Sequence, residues 1–181
     1  MVALFYSVLN YIKQPRLKRL RHTSFEKKFT IVIQCVALSL IIGISLGVFP
    51  VILELLGLYQ SDTHAIARLF EEESPLYIVF SAVILAPVVE EIIFRGPLTL
   101  FGKKYFRIVF YAFALLFGYM HLFNFNITTQ ILILSPLLVA TQIILGLVFG
   151  YIRVRFGLIY SILLHMFYNG IIVIPVVLVM S

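Results

Sequence analysis

Five stretches of this chain are apolar for long enough to cross a lipid bilayer, and that leaves few folds open to it. They run from about Phe29 to Leu55, Pro75 to Leu100, Phe106 to Phe123, Ile131 to Ile152 and Gly157 to Met180. At about 1.5 Å per residue each can traverse roughly 30 Å of hydrocarbon, with the third near the lower limit. Only 12% of residues are charged and 62% are hydrophobic, against about 25% charged in a soluble domain. The pattern predicts an integral membrane protein, an all-α polytopic bundle of about five transmembrane helices. Before them, Met1 to Ile12 is too short to span. Phe5, Val8, Leu9 and Ile12 share one face there, which predicts an N-terminal interfacial helix. Its apolar-then-basic order is the reverse of a cleavable signal peptide.

Charge sets the expected orientation. Seven of the 14 lysines and arginines lie between Lys13 and Lys28; Lys103, Lys104 and Arg107 join the second and third spans, and Arg153 and Arg155 join the fourth and fifth. Five crossings put these twelve on one side, which the positive-inside rule makes cytoplasmic. Arg68 falls on the other side and Arg95 inside a span. The net charge of +6 therefore reads as topology signal and lipid headgroup contact, with the bilayer as partner and no nucleic acid. The single cysteine, Cys35, allows no intrachain disulfide. Ser61 to Ser74 is the longest polar interruption, and Ser61 or Asp62 could cap a short helix in it. Pro50 and Gly96-Pro97 are the expected kinks. The chain divides into an interfacial helix and basic segment (1–28), a first span and outer loop (29–74) and a four-helix core (75–181).

Within that core, polar groups sit where lipid-facing chemistry would exclude them. "VVEEIIFRGP" places Glu90, Glu91 and Arg95 in the second span, where an acidic or basic group costs roughly 2.5–3.5 kcal/mol on insertion scales. Counted from the basic ends, Glu90 lies about 20 Å deep, His121 about 25 Å, His165 about 15 Å and Asn169 about 21 Å. Four polar side chains from three helices thus share a middle layer. Glu91 and Arg95 are one helical turn apart and form a natural pair; Glu90, rotated by about 100°, is left outside it. His165 and Asn169 are also i and i+4, and Phe117 lies one turn before His121. A carboxylate with an imidazole can activate water, and a second imidazole with an amide can stabilise an oxyanion.

These segments, "EEIIFR" (Glu90 to Arg95), "FGYMH" (Phe117 to His121) and "HMFYN" (His165 to Asn169), resemble the three motifs of the CPBP family. These are the CAAX-protease and bacteriocin-processing, or Abi-type, intramembrane endopeptidases, with patterns EExxxR, FxxxH and HxxxN or HxxxB. The resemblance covers about Ala86 to Asn169, in family order on the second, third and fifth spans. It implies a catalytic core in 75–181 that hydrolyses a membrane-embedded or lipid-anchored peptide or protein. Glu90 and His121 would activate the water, and His165 and Asn169 would hold the oxyanion. Glu91, Arg95 and Phe117 would support them. It also implies a cavity opening toward the cytoplasm; the expected location is a prokaryotic plasma membrane, with the N-terminus put inside by the basic residues. The larger CAAX-cleaving relatives carry further helices, so their substrate does not transfer with the chemistry. No metal is expected. Were zinc bound, Glu90, His121 and His165 would be its ligands, but HExxH is absent and asparagine is a poor zinc ligand.

The bland alternatives are an ion pair that locks helices together, histidines that hydrogen-bond between helices, and Asn169 as interhelical glue. On those readings the chain would be a non-catalytic scaffold or bacteriocin-immunity protein on the same fold. A proton-coupled carrier is a third reading, opposed by the lack of an inverted repeat. Gly146 and Gly150 on the fourth span read as a close-packing pair.

Overall fold

The computed structural model describes residues 1–20, 22–58 and 72–180. The helix and cap expected from Ser61 or Asp62 fall at positions 59–71, outside the described residues. Among the described residues the chain is entirely helical, without a strand. α1 (Val2–Lys13) is followed by α2 (Phe25–Leu55), which starts where the Ser24 hydroxyl accepts from Lys27 N–H and continues through Pro50. The next span, Pro75–Thr99, is a composite of α3 (Pro75–Val79), a π-helical turn (Phe80–Leu85), α4 (Ala86–Phe94) and a closing 3-10 turn (Pro97–Thr99). α5 (Phe106–Met120) tightens into a 3-10 turn at His121–Asn124. α6 (Thr129–Leu138) and α7 (Ala140–Phe156) meet at a 42° bend, and α8 (Leu158–Met180) ends the fold.

Four helices are long and apolar enough to span a membrane, or five when the bent pair counts as one span. The protein is an all-α polytopic membrane bundle. Its outer face is made of residues such as Ile33, Ile41, Ile44 and Val48 on α2, exposed side chains that only lipid would solvate well.

Two prolines and the carbonyls they orphan act on the spans. Pro136 has no N–H for the carbonyl four residues back; the Ser135 hydroxyl donates to that oxygen, Leu132 O, at 2.8 Å instead. Three residues on, at Val139, the helix breaks, so the single fourth span expected over Ile131–Ile152 is bent. Pro87 acts on the second span in the same way. Its ring crowds the carbonyl of Val83, four residues back, and the backbone relaxes into the π register, with Ala86 N–H reaching Ser81 O. In that register Ala82 O should receive the N–H of residue 87, which proline lacks.

α5 and α7 pack together most extensively, through their glycines. Gly146 and Gly150 face Ala114, Phe117 and Phe110, as the small-residue spacing predicts. Gly118 does the same from the other side: a Cβ there would run into Ile143, side chain and backbone alike. Gly118→Ala must therefore push the two helices apart, with an expected cost of about 1–3 kcal/mol. Thermal unfolding of detergent-purified protein measures it, and an unchanged midpoint would refute the close approach.

The three basic clusters meet at one end of the bundle. Leu20 N–H donates to Arg155 O (3.0 Å), Arg155 Nη1 to Lys18 O (3.3 Å), and Arg19 Nη2 to Phe156 O (3.4 Å). α1 is held along α7 and α5 by Tyr11, whose ring meets Phe110 and Tyr151 edge-on, and by Tyr111, whose hydroxyl donates to Ile12 O at 2.6 Å. At Gly157 the backbone turns from α7 into α8 with φ of 118°, a conformation only glycine adopts freely.

Candidate active site

Between α3, α4, α5, α7 and α8 lies a cavity of about 550 Å³. Glu90, His121, His165 and Asn169 all line it, together with Phe117. The structure thus brings the four candidate residues from three spans to one space. A larger apolar cavity between α1, α2 and α7 contains none of them.

Glu91 and Arg95 lie directly behind this cavity, 0% and 1% exposed. Arg95 Nη1 is 3.4 Å from Glu91 Oε1, and the guanidinium sits 3.8 Å over the Phe117 ring, a cation–π contact in dry surroundings. The ion pair expected from spacing is present, but Glu91 has a second partner. His165 Nδ1 lies 3.2 Å from the same Oε1. A carboxylate only accepts, so Nδ1 carries the proton and Nε2 faces the cavity, 3.8 Å from Glu90 Oε2. Fully buried Ser161, one turn earlier on α8, packs beside the same carboxylate. Glu91 therefore orients an imidazole as well as balancing an arginine.

His121 is fixed in the same manner. Its Nδ1 lies 2.8 Å from Phe117 O, an acceptor, so Nδ1–H donates and the Nε2 lone pair is left for the cavity. Its ring packs edge-on against Phe117 at 4.9 Å. Phe117 also touches Phe94, Phe149 and His165, making it the hydrophobic post around which the polar groups stand. Glu90 keeps 18% of its side chain exposed and makes no ion pair shorter than the 3.8 Å approach to His165 among the described residues.

Asn169 is partly committed. Its Nδ2 donates to Ala82 O at 2.8 Å, the very carbonyl that Pro87 orphans in the π turn. One N–H of the amide remains for the cavity. Asn169→Ala or Asn169→Asp leaves that carbonyl without a donor, with an expected loss of about 1–3 kcal/mol. If both variants melt like the wild type, the α8-to-π-turn bond contributes nothing.

Among the described residues no three histidine, cysteine or acidic side chains are arranged to hold a metal ion. Glu90, His121 and His165 share the cavity without forming such a ligand set, and Nδ1 of each histidine is already engaged.

A family model described as type II CAAX prenyl endopeptidase Rce1-like matches residues 72–171, more than half of the chain and all three motifs. The chain belongs to the Rce1-like family. No curated protein and no solved structure matches it. The Rce1-like segment begins just before α3 and ends two residues after Asn169, so α1 and α2 lie outside it. The family is one of membrane endopeptidases, and its match and the cavity cover the same helices.

Three features of the cavity were not visible as motifs. Gln142 and Thr141 enter the cavity from the start of α7, with Gln142 Oε1 buried and lacking a hydrogen-bond partner. Tyr168, within "HMFYN", lines the wall and abuts Gly43 of α2 so closely that a Cβ there would overlap its hydroxyl. Arg153, read from sequence as a topology residue, donates to Arg95 O (2.8 Å), Gly96 O (3.1 Å) and Thr99 Oγ1 (2.9 Å). It caps the C-terminus of α4, where a cation belongs.

Proposed function

We propose that this chain is an intramembrane endopeptidase that hydrolyses a peptide bond of a membrane-embedded or lipid-anchored protein with water activated by Glu90 and His121. Glu90 takes a proton from water as the oxygen attacks the scissile carbonyl, while the His121 Nε2 lone pair holds that water in line. The carbonyl oxygen becomes an oxyanion. His165, oriented by Glu91 through Nδ1, faces it with Nε2, and Asn169 offers its second N–H. The proton held by Glu90 passes to the leaving amine as the C–N bond breaks. Glu91 is engaged by Arg95 and by His165, so that the second glutamate orients an imidazole rather than competing for the water's proton.

The observation that carries this reading is the convergence of Glu90, His121, His165 and Asn169 on one cavity. The test is hydrolysis of a pool of membrane-anchored peptides by detergent-purified protein, with and without a chelator. Cleavage unaffected by the chelator is expected. Cleavage lost on chelation and restored by zinc would replace this water-activating scheme, and transport into liposomes without any cleavage would replace the protease.

A further inference from the structure

The catalytic cavity and the basic residues occupy opposite halves of the bundle. Along the second span the cavity takes Tyr77, Ile78, Ser81 and Ala82, near its start, and Glu90 at its middle; Lys103 and Lys104 follow its end. On α5 and the turn after it, the cavity takes Phe117, His121 and Asn124, at the end far from Arg107. On α7 it takes Thr141 through Phe149, the part before Arg153 and Arg155. On α8 it runs from His165 outward to Val173, about 27 Å from Arg155 at helical rise.

Between the site and the basic end the bundle is solid. Phe94, Leu98, Phe106, Phe110, Ala114, Ile152 and Leu164 are all buried there, and Arg95 fills the space under Phe117 and Phe149. Arg153 ties this floor shut by its three hydrogen bonds to Arg95, Gly96 and Thr99. At the other end the rim includes the half-exposed Tyr77 and Ile172. Among the described residues that end carries Glu54, Glu72 and Glu73 and no lysine or arginine. A cytoplasmic basic end and a cytoplasm-facing cavity, both expected from the sequence, therefore exclude one another.

We propose that the cavity opens to the non-cytoplasmic side of the membrane. The substrate is then a membrane-anchored polypeptide whose scissile bond lies in the outer half of the bilayer or just beyond it. Lysine and arginine bias decides orientation in short loops, and among the described residues every basic loop lies at the closed end. A prenylated C-terminus on the cytoplasmic side would meet the floor of the site, not its mouth. The choice of substrate side rests on the protease reading above; the direction in which the cavity opens does not.

The test uses single cysteines in a Cys35→Ser background, expressed in intact bacterial cells and treated with a membrane-impermeant maleimide. Asn126→Cys, in the exposed turn beyond His121, and Ser81→Cys, inside the cavity, are expected to label from outside. Lys104→Cys is expected to label only after the cells are opened. Labelling of Lys104→Cys in intact cells, with none at Asn126→Cys, overturns the orientation. Labelling of Ser81→Cys only from the side that reaches Lys104→Cys overturns the closed floor. None of these outcomes depends on catalysis, whereas the peptide-pool assay in detergent exposes both faces and tests the protease alone.

Discussion

Glu90→Gln should remove peptide hydrolysis almost completely while leaving the fold in place. The substitution keeps the size and polarity of the side chain and takes away only its ability to accept the water's proton. General-base catalysis is worth about 10²–10⁴-fold, and among the described residues no other carboxylate lines the cavity to replace it. Glu91 faces the other way, with its Oε1 shared by Arg95 and His165. Stability should change little, because Glu90 is partly exposed to the cavity and its nearest charged group is 3.8 Å away. Hydrolysis of a membrane-anchored peptide and thermal unfolding in the same detergent check the two halves of the expectation. Activity that survives with an unchanged melting curve would remove Glu90 from the reaction and return the site to a structural role. A collapse of the fold would instead make Glu90 part of the interhelical lock.

Counting residues from the basic ends sufficed to find the middle layer, because helical rise is nearly uniform and the motifs sit on long spans. It could not supply azimuth. Glu91 was matched with Arg95 by spacing along one helix, yet its contact with His165 crosses 74 positions and depends on how α4 and α8 face each other. Asn169 was read as an oxyanion donor, and half of its donor capacity goes to Ala82 O. The signal for that was Pro87, five residues beyond Ala82, but a proline does not announce whether the helix will kink, break or slip into the π register. The fourth span was read as continuous because hydropathy does not register a 42° bend between two apolar helices. Arg153 was assigned to topology because sequence shows a charge near a helix end and not the carbonyls it caps. Depth and side come from one-dimensional patterns, whereas the direction of the cavity comes from packing below Phe117 and Phe149.

Arg95→Met should cost more folded protein than any other single change at the site. The guanidinium is fully enclosed, over Phe117 and against Glu91, so its removal leaves a carboxylate buried with one imidazole as its remaining charged neighbour. Breaking a buried pair from one side typically costs about 3–5 kcal/mol, while removing both charges together is far milder. Glu91→Gln alone should be harmful for the mirror-image reason, stranding Arg95 beneath the cavity. The double variant Glu91→Gln/Arg95→Met should then melt well above either single variant, a coupling of about 0.5–3 kcal/mol between neighbouring groups. Recovery of the fold should not bring back activity. With Glu91 gone, the carboxylate that accepts from His165 Nδ1–H is lost, and the ring is no longer held as firmly with Nε2 toward the cavity. A double variant that regains both stability and full hydrolysis would show that Glu91 serves only to neutralise Arg95. If it regains stability alone, a conserved geometry remains without its chemistry: the buried charges hold an imidazole in place, and that imidazole is what the membrane interior cannot supply by itself.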